Sequence, residues 1–158
     1  MKLFASFHFH NKNGFTLIEI LMVIVLIGIL SGVAITQFIN FGDDARIATT
    51  TQKLNEFKRA IVGDSRQVAN GKFLSPGFEA HMNGLPSSLT DLATQGAQAN
   101  YDPFTKTGWR GPYISNTDAD WNNDAWGNAI QYSSGARTLT SYGPDGASGG
   151  GDDIVVSF

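Results

Sequence analysis

A single carboxylate, Glu19, stands at the entrance to a long apolar segment. Residues 20–42 follow it, 23 positions without a charged side chain. As an α-helix they span roughly 35 Å, enough to cross a hydrocarbon core of about 30 Å. A carboxylate costs about 2.5–3.5 kcal/mol at the centre of such a span. A carboxylate in this position usually has a partner and a function.

A second candidate site is an acidic, glycine-rich segment near the C-terminus. Its carboxylates, Asp145, Asp152 and Asp153, are interleaved with Gly143, Gly146, Gly149, Gly150 and Gly151. Calcium takes six to eight oxygen ligands in a flexible shell, and glycines let carbonyls and carboxylates turn inward to supply them. The alternative is a flexible loop in which Asp145-Gly146 only makes a turn. The residues alone leave both interpretations open.

A rival acidic group precedes it in the chain. Its alternating members are Asp118, Asp120, Asn122 and Asp124. They imitate the start of an EF-hand loop, but Asn123 replaces the required glycine and Ala129 the bidentate glutamate. We interpret this group as a solvated loop, and a second, weaker ion site is the alternative.

Other residue types that carry catalysis are scarce. The chain has no cysteine and three histidines, of which only His81 lies beyond residue 14. No Gly-x-Ser-x-Gly elbow and no phosphate-binding Gly-x-x-x-x-Gly-Lys-Ser/Thr loop occur. We therefore expect no enzyme. Without cysteine, something other than a disulfide must hold the C-terminal region.

The formal charge of the chain is −3. Residues 1–14 carry two lysines and no acid, so the remainder sits near −5, from −3 minus 2. An acidic domain of this kind gives no electrostatic footprint for nucleic acid. Lys2 and Lys12 precede the apolar segment. This charge distribution predicts a cytoplasmic N-terminus and places the chain beyond the span on the outer side of the membrane.

The apolar segment is expected to continue as an amphipathic helix. Apolar residues recur at spacings of three, four or their multiples: Ala45, Ala48, Leu54, Phe57, Ile61 and Val68. Asn70-Gly71 is a plausible stop signal. The pattern predicts one helix from Phe15 to about Asn70. Gly28 and Gly32 form a small-xxx-small pair that suits either close helix packing or simple tolerance of glycine.

The remaining chain is expected to add a short helix and a small sheet. Residues 85–92 read as a helix capped by Ser87 or Ser88, with Asp91 in its first turn. Trp109, Tyr113 and Ile114 are predicted core anchors. Strands are predicted at 129–133, 138–142 and 154–158. The expected fold class is α+β, a long N-terminal helix packed on a small antiparallel β-sheet.

The N-terminal motif carries a family resemblance. Residues 14–19, Gly-Phe-Thr-Leu-Ile-Glu, resemble the processing signal of type IV pilin-like proteins. The resemblance implies a prepilin peptidase that cuts after Gly14 and N-methylates Phe15, with the apolar helix retained. Residues 1–14 would be the leader, 15–42 a transmembrane and filament-core helix, and 43–158 a periplasmic pilin-like domain. The alternative is a simple signal anchor.

Two C-terminal motifs narrow the resemblance. Residues 124–132 look like the Asp-Pro-Trp-Gly-x-x-Tyr-x-Tyr region of major pseudopilins of the type II secretion system, with Ala125 for the usual proline. Residues 141–154 resemble their C-terminal loop, where the family places a structural calcium. The resemblance thus implies Ca²⁺ at Tyr142, Asp145, Asp152 and Asp153.

The resemblance implies a filament subunit that helps to export folded proteins. Glu19 would neutralise the N-terminal amine of Phe15 on a neighbouring copy and so set the axial register. Implied partners are further copies of the chain, the prepilin peptidase, an inner-membrane assembly platform and minor pseudopilins. The alternatives are a surface type IV pilin for adhesion, motility or DNA uptake, and a membrane-anchored calcium-binding module that never polymerises.

Overall fold

A computed structural model describes residues 14–158, except that the side chains of residues 33–40, 68 and 72 lie outside the described part. The predicted leader therefore falls, apart from Gly14, outside the described residues. The chain divides into two units, one ending at Phe41 and the other running from Gly42 to Phe158.

Helix α1 spans Leu17–Val62. In its second half Leu54, Phe57 and Ile61 are completely buried, at the spacings of three and four that a 3.6-residue period requires. The predicted amphipathic stripe is thus confirmed over this part of the helix.

The predicted end of α1 near Asn70 is wrong. The helix ends at Val62, and Gly63 follows with a φ of 94° while its N–H donates to the carbonyl of Arg59 at 2.8 Å. A left-handed residue directly after the last turn is a common helix stop, and glycine takes that conformation without a side-chain clash.

Asn70 and Gly71 form a hairpin turn instead. They connect β1 (Val68–Ala69) to β2 (Lys72–Phe73), which pair antiparallel. Asn70 has a φ of 52° and Gly71 a φ of 73°. An Asn-Gly pair with both φ values positive is the preferred two-residue hairpin connection, and here that preference outweighs its role as a helix terminator.

Two short helices follow, α2 (Phe78–Met82), which the sequence analysis did not predict, and α3 (Thr90–Ala93). Helix α3 is shorter than the predicted helix at 85–92. The serine hydroxyls do not cap it; instead the Asp91 carboxylate accepts the backbone N–H groups of Ser87 and Ser88, at 2.8 and 3.1 Å.

A three-stranded antiparallel sheet completes the domain, in the order β3-β4-β5. The strands are β3 (Gln131–Ser133), β4 (Thr138–Ser141) and β5 (Ile154–Ser157). Leu139 of β4 stands opposite Tyr132 and Val156. The three predicted strands are confirmed, each slightly shorter than expected.

The hydrophobic core lies between α1 and these elements. Its buried members are Leu54, Phe57, Ala60, Ile61, Phe78, Leu89, Leu92, Ile130 and Leu139. The predicted anchors Trp109, Tyr113 and Ile114 pack against it and are partly buried. The α+β fold class is therefore confirmed.

Candidate functional sites

The start of α1 is closed by a capping box between Thr16 and Glu19. The backbone N–H of Thr16 donates to Oε2 of Glu19 at 3.3 Å, and the N–H of Glu19 donates to Oγ1 of Thr16, also at 3.3 Å. This reciprocal pair satisfies two of the donors that every helix start leaves open. The carboxylate consequently sits in the first helical turn, one turn from the predicted new N-terminus at Phe15.

The apolar side chains that follow are exposed all around the helix. From Leu17 to Leu30 the large hydrophobic residues are between 45% and 84% exposed. A helix that is hydrophobic on every face needs an apolar environment, either lipid or a bundle of other helices.

Within the part of the chain that is described, no helix meets the length and hydropathy needed to cross a membrane. The predicted span at 15–42 includes residues 33–40, whose side chains are outside the described part. The single span therefore stays a prediction.

In the glycine-rich loop, two predicted ligands approach each other. A Cβ built on Gly150 would lie 2.8 Å from Oδ1 of Asp152 and 3.2 Å from Oδ2 of Asp145. Gly150 has a φ of 80°, so only glycine fits there without strain. The other Asp145 oxygen, Oδ1, accepts the N–H of Ala147 at 2.8 Å.

The other two predicted ligands lie at a neighbouring groove. Tyr142 and Asp153 both line a cavity of about 410 Å³ on the surface of the sheet. Oδ2 of Asp153 accepts the N–H of Gly149 at 3.0 Å, whereas Oδ1 is buried and has no hydrogen-bond partner. A buried carboxylate oxygen without a donor is costly, and a cation would satisfy it.

Across residues 14–158, apart from the few undescribed side chains, no three acidic, histidine or cysteine side chains form a metal-binding group. The loop thus brings Asp145 and Asp152 to one side of Gly150 and directs Asp153 to hydrogen-bond Gly149. A calcium ion here would need backbone carbonyls among its ligands, and the site stays a prediction.

The rival group at 118–124 is organised by protein donors. Oδ1 of Asp124 accepts the N–H groups of Trp126 and Asn128 at 2.9 and 2.8 Å, and Oδ2 accepts the hydroxyl of Ser141 at 2.6 Å. Asp124 is buried, and these three donors satisfy both of its carboxylate oxygens. Asp124 is therefore a structural carboxylate that joins this segment to β4.

The ammonium of Lys53 provides the positive charge at the same loop. Its Nζ donates to the carbonyls of Asp120 and Asn123 at 2.7 and 2.5 Å. Sequence reasoning missed this contact because Lys53 read as one of the polar residues between apolar helix positions. Nothing in the local sequence pattern indicates a contact across about seventy residues.

Asn128 is a second residue that the sequence analysis missed. Its Nδ2 donates to the carbonyl of Gly143 at 2.8 Å, at the entry to the glycine-rich loop. The sequence did offer one signal for this contact: Asn128 is an amide residue within residues 124–132, the segment that resembles the pseudopilin motif. Asn128 therefore couples that motif to the predicted calcium loop.

Comparison with known protein families shows which family the chain belongs to. A model described as "Prokaryotic N-terminal methylation motif" matches residues 9–35, and one described as "Type II secretion system (T2SS), protein G" matches residues 37–157. The chain belongs to the type II secretion system protein G family. It is thus a major pseudopilin, a structural subunit of the pseudopilus, and this family is not known as an enzyme.

Individual relatives agree. The chain is 33% identical to type II secretion system core protein G of Xanthomonas campestris pv. campestris, covering 89% of this pseudopilin and 84% of the relative. The proteins of the same description from Pseudomonas aeruginosa and Escherichia coli are 27% and 30% identical, each over at least 90% of both chains. No solved structure matches.

Proposed function

We propose that this pseudopilin polymerises into a periplasmic helical filament that drives the export of folded proteins. The start of α1 supports this most directly, because it sets one carboxylate, Glu19, at the head of a helix with exposed apolar side chains. In a bundle of such helices an unpaired charge is expensive and a nearby opposite charge is favoured. The amine of Phe15 on an adjacent copy would supply that charge and set the axial register.

The N-terminal methylation motif supports further steps that we propose for this chain. A prepilin peptidase would cut after Gly14 and methylate Phe15. The new chain would be anchored in the inner membrane by a single helix, with a cytoplasmic N-terminus and a periplasmic domain. An assembly platform and minor pseudopilins would receive it there, and a cytoplasmic ATPase would supply the energy.

The experiment that tests this function combines two measurements on the cell-expressed protein. Mass spectrometry is expected to show a mature chain that begins at N-methylated Phe15, and electron microscopy of cells that overproduce it is expected to show filaments. A mature chain that begins at Met1 and forms no filaments would instead favour a membrane-anchored calcium-binding module.

Gly14→Val provides a matched variant for the processing step. The peptidase must accommodate the residue before Phe15, and a branched side chain at that position should block the cut. The variant is expected to accumulate at full precursor length, as judged by intact mass. Normal cleavage of Gly14→Val would contradict a prepilin-type leader.

We also propose a structural Ca²⁺ in the glycine-rich loop. Asp145, Asp152, Asp153 and Tyr142, together with backbone carbonyls, are the residues that would hold it. The support is the unpartnered buried Oδ1 of Asp153 and the approach of two carboxylates at Gly150. The ion would bind these oxygens together in a chain that has no disulfide.

A further inference from the structure

The basic side chains that the structure describes differ in whether the chain itself provides them with a partner. Ion pairs with acids engage Arg46, Arg66 and Arg137. Hydrogen bonds to backbone carbonyls engage Lys53 and Lys58. Within the described residues, no ion pair and no side-chain hydrogen bond engages the others, Arg59, Lys106 and Arg110. In a chain with a formal charge of −3, this group is the positive surface that is left for a partner outside the chain.

Two of these cations share one pocket. It lies between the β1–β2 hairpin, α2 and the segment that ends at Arg110, and its volume is about 460 Å³. Pockets of roughly 300–1,000 Å³ are the usual size of binding sites. The pocket, which we call the Arg110 pocket, is lined by Phe73, Pro76, His81, Tyr101, Lys106 and Arg110 together with two small residues. None of these described lining residues is an acid, so the pocket combines positive charge with aromatic surface.

Acids of the surrounding segments have donors of their own. Asp102 does not line the pocket, and both of its carboxylate oxygens accept hydrogen bonds from inside its own turn. Asp64 lines the adjoining cavity, where its two oxygens each accept a hydrogen bond from the Arg66 guanidinium at 3.0 Å. Neither carboxylate is ion-paired with Lys106 or Arg110, so the charge of the pocket is not neutralised from within.

The Arg110 side chain is oriented for a planar anion. Its guanidinium lies over the Tyr101 ring, 5.0 Å from the ring centroid. Stacking occupies one face of the guanidinium and leaves its N–H groups, which form a fork that matches a carboxylate. The neighbouring His81 imidazole contacts the Tyr113 hydroxyl through Nδ1 at 2.9 Å, so Nε2 is the nitrogen left for a ligand.

Exposed apolar side chains occur on both segments that border the pocket. On the hairpin side Phe73 is 45% exposed and Leu74, directly after β2, is 67% exposed. On the other side Phe104 is 94% exposed in the same turn as Lys106. Exposed apolar side chains grouped in this way mark protein contact sites. A small carboxylate could fill the pocket but would leave these side chains in water, whereas a protein segment would cover them.

We propose that the Arg110 pocket binds a segment of another protein in which a carboxylate lies beside an aromatic or aliphatic side chain. The carboxylate would accept hydrogen bonds from Arg110 and Lys106, and its apolar neighbour would pack on Phe73 and Tyr101. This contact deepens the proposed function, on which it rests, because it gives the filament subunit a surface for a partner other than its own copies.

Peptide binding to the full chain in detergent tests the pocket. The probe is the end-blocked peptide Gly-Asp-Phe-Glu-Leu-Gly, and its control is Gly-Asn-Phe-Gln-Leu-Gly, which has the same shape without the charges. The acidic peptide is expected to bind in calorimetric titration and to shift the NMR signal of the His81 ring. That signal is identified by its absence in His81→Gln. The amide peptide should show neither effect.

Substitutions then locate the binding. Arg110→Gln should weaken it roughly tenfold or more, because arginines at the centre of a contact carry much of its free energy, and Lys106→Gln should weaken it less. Arg46→Gln removes the same charge from an exposed position of α1 and is the matched control, with the affinity of the parent. Melting temperatures equal to that of the parent would show that the domain of each variant is intact.

The outcomes separate the pocket from its occupant and from the proposed function. Equal binding of the two peptides, or unchanged binding by Arg110→Gln and Lys106→Gln, would overturn the pocket. Phenylacetate that binds as tightly as the acidic peptide would replace the protein partner by a small carboxylate. Loss of filaments in Arg110→Gln would instead make a second copy the occupant. A parent chain that binds the peptide but forms no filaments would overturn the proposed function alone.

Discussion

Glu19 carries the charge on which the proposed assembly depends. In the single chain its carboxylate is used by Thr16 at the start of α1. The same oxygens can accept a further donor, because an ionised carboxylate has about four acceptor positions. The capping box therefore orients the Glu19 carboxylate and leaves some of its acceptor positions free for another donor.

Glu19→Val should leave membrane insertion intact, since it removes a charge from the edge of an apolar segment, and should abolish filament assembly. The amine of each neighbouring Phe15 would remain unpaired in an apolar bundle. Membrane fractionation and filament counts by electron microscopy measure the two effects. Glu56→Val, an exposed acid further along α1, is the matched control and should assemble. Normal assembly of Glu19→Val would remove the register role.

His81 is the residue whose titration should be visible in stability. It is 7% exposed, and its Nδ1 lies 2.9 Å from the hydroxyl oxygen of Tyr113. The backbone N–H of Arg110 donates to that same oxygen at 3.1 Å, which leaves the hydroxyl proton for a neutral imidazole. Burial, and after it the charge of Arg110, lowers the pKa of His81.

The stability that neutral His81 contributes is present above its unfolded pKa of about 6.5. It should be lost as the pH falls from there through the lower folded-state pKa, because the unfolded chain then binds the proton more readily. The melting temperature of the parent should drop as the pH falls below about 6.5, and that of His81→Gln should change less. Equal pH profiles for the two proteins would contradict this assignment.

At the scale of elements, the join between α1 and α2 depends on close backbone contact. Gly77 precedes α2 and packs against the residues that end α1. A Cβ on Gly77 would lie 2.4 Å from both the amide nitrogen of Gly63 and the carbonyl oxygen of Ile61. No side chain fits at that separation, so the two helices would have to move apart.

Gly77→Ala should therefore destabilise the domain by about 1–3 kcal/mol or more, the usual cost of overpacking. Gly84→Ala is the control, since a Cβ there meets nothing within 4 Å, and its effect should stay within about 0.5 kcal/mol. Chemical denaturation of both variants measures the difference. A stability of Gly77→Ala equal to that of Gly84→Ala would mean that the join can relax.

Local patterns predicted the elements better than their ends. The spacing of Leu54, Phe57 and Ile61 could be read because helix periodicity is a local property. Asn70-Gly71 was misassigned, because the dipeptide is found both at helix ends and in hairpin turns, and the apolar spacing up to Val68 favoured a longer helix. The contacts of Lys53 were beyond prediction for a different reason: they join residues that only the folded domain brings together.

At the scale of the whole domain, the C-terminal third has no covalent staple, since the chain lacks cysteine. Hydrogen bonds and an ion pair made by Arg137 hold it instead. The Arg137 guanidinium donates to both carboxylate oxygens of Glu79 at 2.9 and 3.0 Å, and its Nε donates to the carbonyl of Phe158 at 2.8 Å. These bonds fix the C-terminus to α2, and residues 143–153 are the segment left for an ion to hold.

Calcium is expected to raise the melting temperature of the full chain in detergent, and a chelator should lower it. A ligand that binds only the folded form adds about 2.7 kcal/mol at a hundredfold excess over its Kd. Extracytoplasmic sites often bind at about 10⁻⁴–10⁻³ M, so millimolar calcium would give less. Magnesium should substitute poorly, because it requires a stricter octahedron.

Single substitutions can show which loop is responsible for the calcium-dependent shift in melting temperature. Asp145→Ala and Asp153→Ala should each abolish the calcium-dependent shift in melting temperature, whereas Asp118→Ala, which alters an exposed residue of the rival loop, should not. A metal-free chain whose melting temperature ignores calcium would refute the site. Loss of the response in Asp118→Ala alone would move it to residues 118–124.

Because of Lys53, the two acidic loops should differ in how their shape depends on ions in the solution. Its ammonium donates hydrogen bonds to the carbonyls of Asp120 and Asn123. Because this positive charge is covalently attached to the chain, it cannot dissociate as an ion can. A calcium ion in the later loop would be exchangeable. Scarcity of divalent ions around the domain would then loosen residues 143–153, while residues 118–124 would keep their shape. The ionic environment would thus act on one edge of the subunit and leave its helical core folded.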